Sequence, residues 1–179
     1  MNRIQTFLLI LFAQSVWSQT VPKNLMGEKN EYKLKYGWFT VGKGSISFND
    51  KFYYEKDLPT VRVKAEAKTA GLGGIFTDFD ANFISRVNSR NSQPVFSYRN
   101  ILSKEMADKR SDRYVFADTA ITIKTFIEKG REHKERQIDT IDHDLHDVLS
   151  SFVRLRTMDF ANMKKGDQVH IHTFYSNTA

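Results

Sequence analysis

Val61-Arg62-Val63-Lys64-Ala65-Glu66-Ala67-Lys68 decides the fold of this chain. Apolar and charged side chains alternate without a break over eight residues, the period of a strand with one dry and one wet face. A helix would scatter the same charges around its surface. Pro59 stands at the entry of the run, where a missing N–H costs a ladder least.

The same period recurs on both sides. Upstream, Tyr32, Leu34, Tyr36 and Trp38 alternate with Glu31, Lys33, Lys35 and Gly37, which predicts a strand with an inward aromatic face. Gly42 and Gly44 interrupt the next strand, where Ile46 and Phe48 alternate with Ser45 and Ser47, and Asn49-Asp50 signals a turn. Downstream, Ala70-Gly71-Leu72-Gly73-Gly74 reads as a hairpin or bulge with left-handed residues. Phe79, Ala81 and Phe83 then alternate with Asp80 and Asn82. A polar loop from Asn88 to Gln93 leads to Pro94 and a strand carrying Phe96, Tyr98 and Leu102 on a shared side. Residues 113–116, 121–128 and 132–139 read as further strands, the last two joined through Lys129-Gly130-Arg131. Lys164-Lys165-Gly166-Asp167 turns into a final strand in which Val169 and Ile171 alternate with His170 and His172.

One segment departs from period two. Leu145, Val148, Leu149, Phe152, Val153 and Leu155 recur mostly at three- and four-residue spacing, so residues 145–157 are expected to form an amphipathic helix. Asp144 suits the N-cap, Asp147 the first turn, and Arg154 and Arg156 the last turn, where the helix dipole favours positive charge. Eight to nine strands and one helix, joined by short polar loops, give a mainly β fold. The expected architecture is a curved antiparallel sheet or open β-barrel with one covering helix.

The amino terminus says where the protein works. Met1-Asn2-Arg3, the apolar run Phe7 to Phe12 and the small residue Ser18 have the layout of a signal peptide, residues 1–18. Residues 19–179 then form a single β-rich domain. The apolar run is shorter than the roughly 20 residues a spanning helix needs, so no transmembrane anchor is expected. The chain has no cysteine, which excludes disulfide staples and a lipidated cysteine anchor. The expected product is soluble, and periplasmic or extracellular.

The net charge of +6 comes from 27 basic and 21 acidic residues interspersed along the chain. That pattern fits a solvated mixed surface and no nucleic-acid partner. Contact with anionic envelope material through screened attraction is compatible with it.

Candidate chemistry is sparse. His143, His146, His170 and His172, with Asp142, Asp144 and Asp147, would make a zinc-type site for a metal-assisted hydrolase if the two groups met in space. Their spacing matches no ligand motif, and histidines on wet faces are the plainer reading. Asp78 and Asp80 share a strand face but have no identifiable partner to perturb either carboxyl. Ser150-Ser151 lies inside the helix, without the glycine elbow of a serine hydrolase, and reads as ordinary helix surface. No cofactor is expected. Tyr36, Trp38, Phe39, Phe76, Phe79 and Phe83 cluster near the glycine-rich turns, and they are either core or the lining of an apolar cleft that shelters an acyl chain.

The run Gly27-Glu28-Lys29-Asn30-Glu31-Tyr32-Lys33-Leu34-Lys35-Tyr36-Gly37-Trp38 through Gly44 resembles the opening of the bacterial domain-of-unknown-function family 3108. Three further pieces are similar: the alternating strand ending Lys68-Thr69-Ala70-Gly71, the aromatic strand running to Pro94 and Phe96, and the helix from Asp147 to Arg156 followed by Lys165-Gly166-Asp167. The resemblance implies an exported, β-rich envelope protein of Bacteroidetes character, and it brings no reaction and no catalytic residues. Family members usually continue with more strands past Tyr175, so the chain is expected to lack C-terminal strands. Together these readings predict a non-enzymatic envelope protein that binds an apolar ligand or an envelope protein. The metal-assisted hydrolase stands as the alternative.

Overall fold

The alternation at Val61–Lys68 forms an interior strand of one large antiparallel sheet. The computed structural model describes residues 21, 23–71, 73–76, 78–104, 107–117, 120–129, 132–140 and 144–175. Its strands are β1 (Lys29–Tyr36), β2 (Phe39–Phe48), β3 (Tyr53–Glu55), β4 (Leu58–Thr69), β5 (Phe79–Asn88), β6 (Pro94–Ser103), β7 (Ala107–Phe116), β8 (Ile121–Lys129) and β9 (Glu132–Thr140). Each long strand pairs with the next in sequence, in the order β1-β2-β4-β5-β6-β7-β8-β9. β3 pairs with the start of β4, through the two-residue Lys56-Asp57 turn. Both turn residues have positive φ (48° and 67°), the geometry that follows the twist of a tight hairpin. Among the described residues β1 and β9 do not pair with each other, so the sheet is curved and open.

A helix, α2 (Val148–Thr157), lies against β4 and β5; a single helical turn, α1 (Gly73–Phe76), precedes it in the chain. The expected helix began too early. Leu145 and His146 instead form a two-residue strand, β10, parallel to β11 (His172–Thr173). The N-cap is Asp147 rather than Asp144. Its carboxylate accepts the Ser150 N–H and the Ser150 hydroxyl accepts the Asp147 N–H, a reciprocal capping box. Arg154 and Arg156 do occupy the last turn, and Arg156 Nη2 donates to Glu28 Oε2 at 3.1 Å.

Register fixes which side chains share the helix-facing side. Paired residues point the same way, so Ile46 and Phe48 on β2 join Val61, Val63 and Ala65 on β4 and Phe83, Ser85 and Val87 on β5. The main apolar core is Val21, Leu25, Phe48, Val61, Val63 and Val87 with Leu149 and Val153 from α2. A second, smaller core joins Tyr114, Ile121, Ile123 and Leu145, with Phe174 against it.

Four other expectations change. The aromatic face of β1 is not buried: Leu34 is 67% exposed and Tyr36 79%. β1 is an edge strand, and α2 lies against β4 and β5 instead. Trp38 belongs to the hairpin turn, whose two residues Gly37 and Trp38 link Tyr36 to its partner Phe39. The glycine-rich segment does join an antiparallel pair, β4 and β5, but as a long connection rather than a tight turn. It turns at Gly71 (φ +58°), where a Cβ would come 2.6 Å from the Thr40 carbonyl oxygen, and then forms α1. The final strand is reduced to His172–Thr173. The expected leader, residues 1–18, lies outside the described residues. No helix among the described residues is long and apolar enough to cross a membrane.

Candidate functional site

Between the two apolar cores the inner face of the sheet turns polar. Strand alternation brings Ser85 on β5, Ser97 and Arg99 on β6, Asp108, Arg110 and Asp112 on β7 and Thr125 on β8 to the same side as the helix. Ser85, Arg99, Arg110, Asp112 and Thr125 are buried there. Buried ions and hydroxyls persist only when partnered, and these are. Thr125 Oγ1 donates to Asp112 Oδ1 at 2.6 Å, and Ser97 Oγ donates to Asp112 Oδ2 at 3.3 Å. The Tyr114 hydroxyl stands 3.4 Å from Ser97 Oγ. Arg99 Nη2 meets Asp108 Oδ2 at 2.6 Å, and its guanidinium stacks 4.5 Å over the Tyr175 ring. Asp147 closes the band from the helix side, taking the Ser85 hydroxyl on Oδ2 at 2.6 Å.

Electrostatics follow from burial. Loss of water raises the Asp112 carboxyl above its ordinary value, although Thr125, Arg110 and Ser97 act the other way. Burial also raises Asp147, against the pull of Ser150 and Ser85. The Tyr114 phenol is pushed far up by burial and by the two nearby carboxylates, and it stays neutral. Burial and the neighbouring Arg99 lower Arg110. Two guanidinium groups therefore face two carboxylates within the band, with Asp147 at its end. The cavity left between α2 and the sheet measures about 30 Å³ and is lined by Phe83, Ser97, Arg99, Asp112, Tyr114 and Asp147 among others. One molecule of liquid water takes about the same volume.

Of the six aromatic candidates, Phe83 alone lines this cavity. It and Phe79 lie on the inner face of β5, Phe83 against the main core. Trp38 and Phe39 stack on each other with ring centroids 3.6 Å apart, and Trp38 is 82% exposed. Phe76 ends α1. Tyr36 and Trp38 stand at the hairpin tip, apart from Phe79 and Phe83.

The histidines are partly brought together. β10 and β11 pair, as the metal reading needs, but Leu145 stands opposite His172 and His146 opposite Thr173. His146 and His172 therefore leave the ladder on opposite faces. His146 is fully buried, with Nε2 3.3 Å from Asp144 Oδ1, and burial lowers its pKa. His170 and His172 are exposed, and His143 lies outside the described residues. No group of three or more metal-ligating side chains occurs among the described residues. Asp78 precedes β5, and both Asp78 and Asp80 are exposed. Ser150, read as helix surface, is buried in the capping box.

The polar band was missed in the sequence. Asp108, Arg110 and Asp112 recur at period two, but Lys109 and Arg113 put charge on the other face as well, so neither face of β7 reads as buried until the register of β6 and β8 is known. The family described as "Protein of unknown function (DUF3108)" matches residues 31–179. No curated protein and no solved structure matches the chain.

Proposed function

The chain belongs to the DUF3108 family, whose function is unknown, and we propose that it is a non-enzymatic platform of the cell envelope, exported by its leader, which binds partners on its surface. The observation that carries this reading is the filled space beneath α2. Ligand pockets take roughly 300–1,000 Å³, and the cavity there is about 30 Å³. An acyl chain has no room between the helix and Val61, Val63 and Val87. Within the band Arg99 pairs with Asp108, and Asp112 accepts the Thr125 and Ser97 hydroxyls. Such pairing ties neighbouring strands and holds the sheet's curvature. The exposed aromatics Tyr36 and Trp38 are then available to a partner outside the protein rather than to a ligand inside it.

Native mass spectrometry of the full chain, purified from the envelope fraction and compared with a lipid extract of the same sample, tests this reading. The expected mass is that of the bare polypeptide. A stoichiometric lipid retained with the protein would sink it in favour of a carrier.

A further inference from the structure

The turn of the β1–β2 hairpin combines two features that cost stability in a free, soluble sheet. The first is exposed apolar surface: Tyr36 and Trp38 stand open at the turn, and Leu34 stands open two pairs back. The second is like charge placed in register. On the face away from α2, Lys33, Lys43 and Lys68 lie directly opposite one another on β1, β2 and β4. Directly opposed like charges destabilise a ladder. The row ends at Asp80 on β5, and Lys35 lies one step nearer the turn. Among the described residues none of Lys33, Lys35, Lys43 and Lys68 forms an ion pair. Of the acids on this face, Glu31 pairs with Lys29 and Glu66 with Lys64, each at 2.7 Å, Lys33 and Lys43 act on Glu31 from farther off, and Asp80 stands opposite Lys68. A broad open hollow of about 770 Å³ lies along the row, lined by four lysines of this face together with Glu31, Glu66 and Asp80.

Aromatic side chains with a polar edge favour the boundary between hydrocarbon and headgroup, and lysines one step behind them meet anionic headgroups. Both costs vanish when this end of the sheet rests on an anionic bilayer. We infer that the β1–β2 hairpin is a membrane-docking tip, with Trp38 and Tyr36 entering the interface and Lys33, Lys35, Lys43 and Lys68 contacting the phosphates of anionic phospholipid. This rests on the surface-platform reading only in taking the aromatics to act outside the protein.

The chain has two tryptophans, Trp17 and Trp38, so the full chain carrying Trp17→Phe reports on the tip alone. Mixed with vesicles of phosphatidylglycerol and phosphatidylcholine, its emission is expected to shift to the blue and to be quenched by lipids brominated near the headgroup. Vesicles of phosphatidylcholine alone should give little shift. Each of Lys33→Gln, Lys43→Gln and Lys68→Gln should lower partitioning about fivefold, and added salt should lower it further. In the tryptophan-containing chain, Trp38→Ser should lower vesicle binding about tenfold or more. Tyr36 and Trp38 are exposed, so these variants keep the core. Emission unchanged on anionic vesicles would overturn the inference, even if the leader holds the chain on the lipid. So would equal shifts on neutral and anionic vesicles, or a shift that grows with protein concentration alone, which would make a second copy the occupant. A lipid retained inside the purified protein would refute the platform reading and leave this one intact.

Discussion

Asp147 and Ser85, 62 residues apart in sequence, meet at 2.6 Å beneath the helix. The other oxygen of the same carboxylate caps α2 through the Ser150 N–H at 2.7 Å. One side chain thus starts the helix and fastens it to the centre of the sheet.

Replacing Asp147 with Ala should therefore cost twice. Loss of the cap costs about 1 kcal/mol, and the stranded Ser85 hydroxyl about 1–3 kcal/mol. Urea denaturation should show a loss of about 2–4 kcal/mol. Asp147→Asn keeps one acceptor oxygen for the Ser150 N–H and turns an NH2 donor toward the Ser85 hydroxyl, which can accept it, so it should lose less. Equal losses for the two variants would show that the bond to Ser85 is not what holds the helix.

Asp112 sets a pH dependence. Its folded pKa lies above the ordinary value because of burial, so the folded state takes up a proton before the unfolded one does. Stability then rises as pH falls through the folded value and levels off below the unfolded value of about 3.9. Asp112→Asn removes this contribution. Wild-type minus variant stability, measured by denaturation at several pH values, should increase on acidification.

His146 has the opposite sign. Burial lowers its folded pKa below 6.5, so the unfolded chain gains the proton first. Its contribution is lost as pH falls below the ordinary histidine value. The wild-type minus His146→Gln difference should decline over that range, and a flat difference would mean the imidazole reaches water.

Leu149 and Leu155 separate the two sides of α2. Leu149 is buried in the main core and Leu155 is exposed. Leu149→Ala should cost about 2–5 kcal/mol, and Leu155→Ala no more than about 0.5 kcal/mol. Thermal and urea unfolding of the two variants measures the contrast.

The Arg99–Asp108 pair predicts non-additivity. Asp108→Ala leaves a buried guanidinium short of its carboxylate and should cost about 3–5 kcal/mol. Adding Arg99→Met to Asp108→Ala should recover part of that loss. A double-mutant cycle in denaturant reads the coupling directly.

How much of this was legible depended on where the partner of each residue lies. β4 was plain because its two faces differ in chemistry, Val61 and Val63 against Arg62 and Lys64. β6 misleads. Phe96, Tyr98 and Leu102 do share a side, but it is the side away from the helix, while Ser97, Arg99 and Ile101 face inward. What makes that inversion tolerable is Asp108 on the next strand, which no local pattern can announce. Tyr32, Leu34 and Tyr36 failed for a different reason. Alternation tells which side chains share a face, never whether anything covers that face. The start of α2 was misplaced because Leu145 fits both a helix stripe and a strand, and the parallel pairing with His172 decides between them. The aromatic candidates were chosen by composition and proximity in sequence, and register separates Trp38 from Phe83.

The division of the interior into two greasy lobes with an ionic seam between them means that heat and acid should loosen different places first. Warming should attack the lobe of Ile121 and Ile123, which among the described residues is the smaller and is lidded by Leu145 and Phe174. Acid should spare the seam, where buried Asp112 takes up a proton more readily folded than unfolded, and should begin at β10, where burial withholds from His146 the proton that the unfolded chain gains. Backbone amide exchange followed strand by strand would then show two melting fronts within a single continuous ribbon.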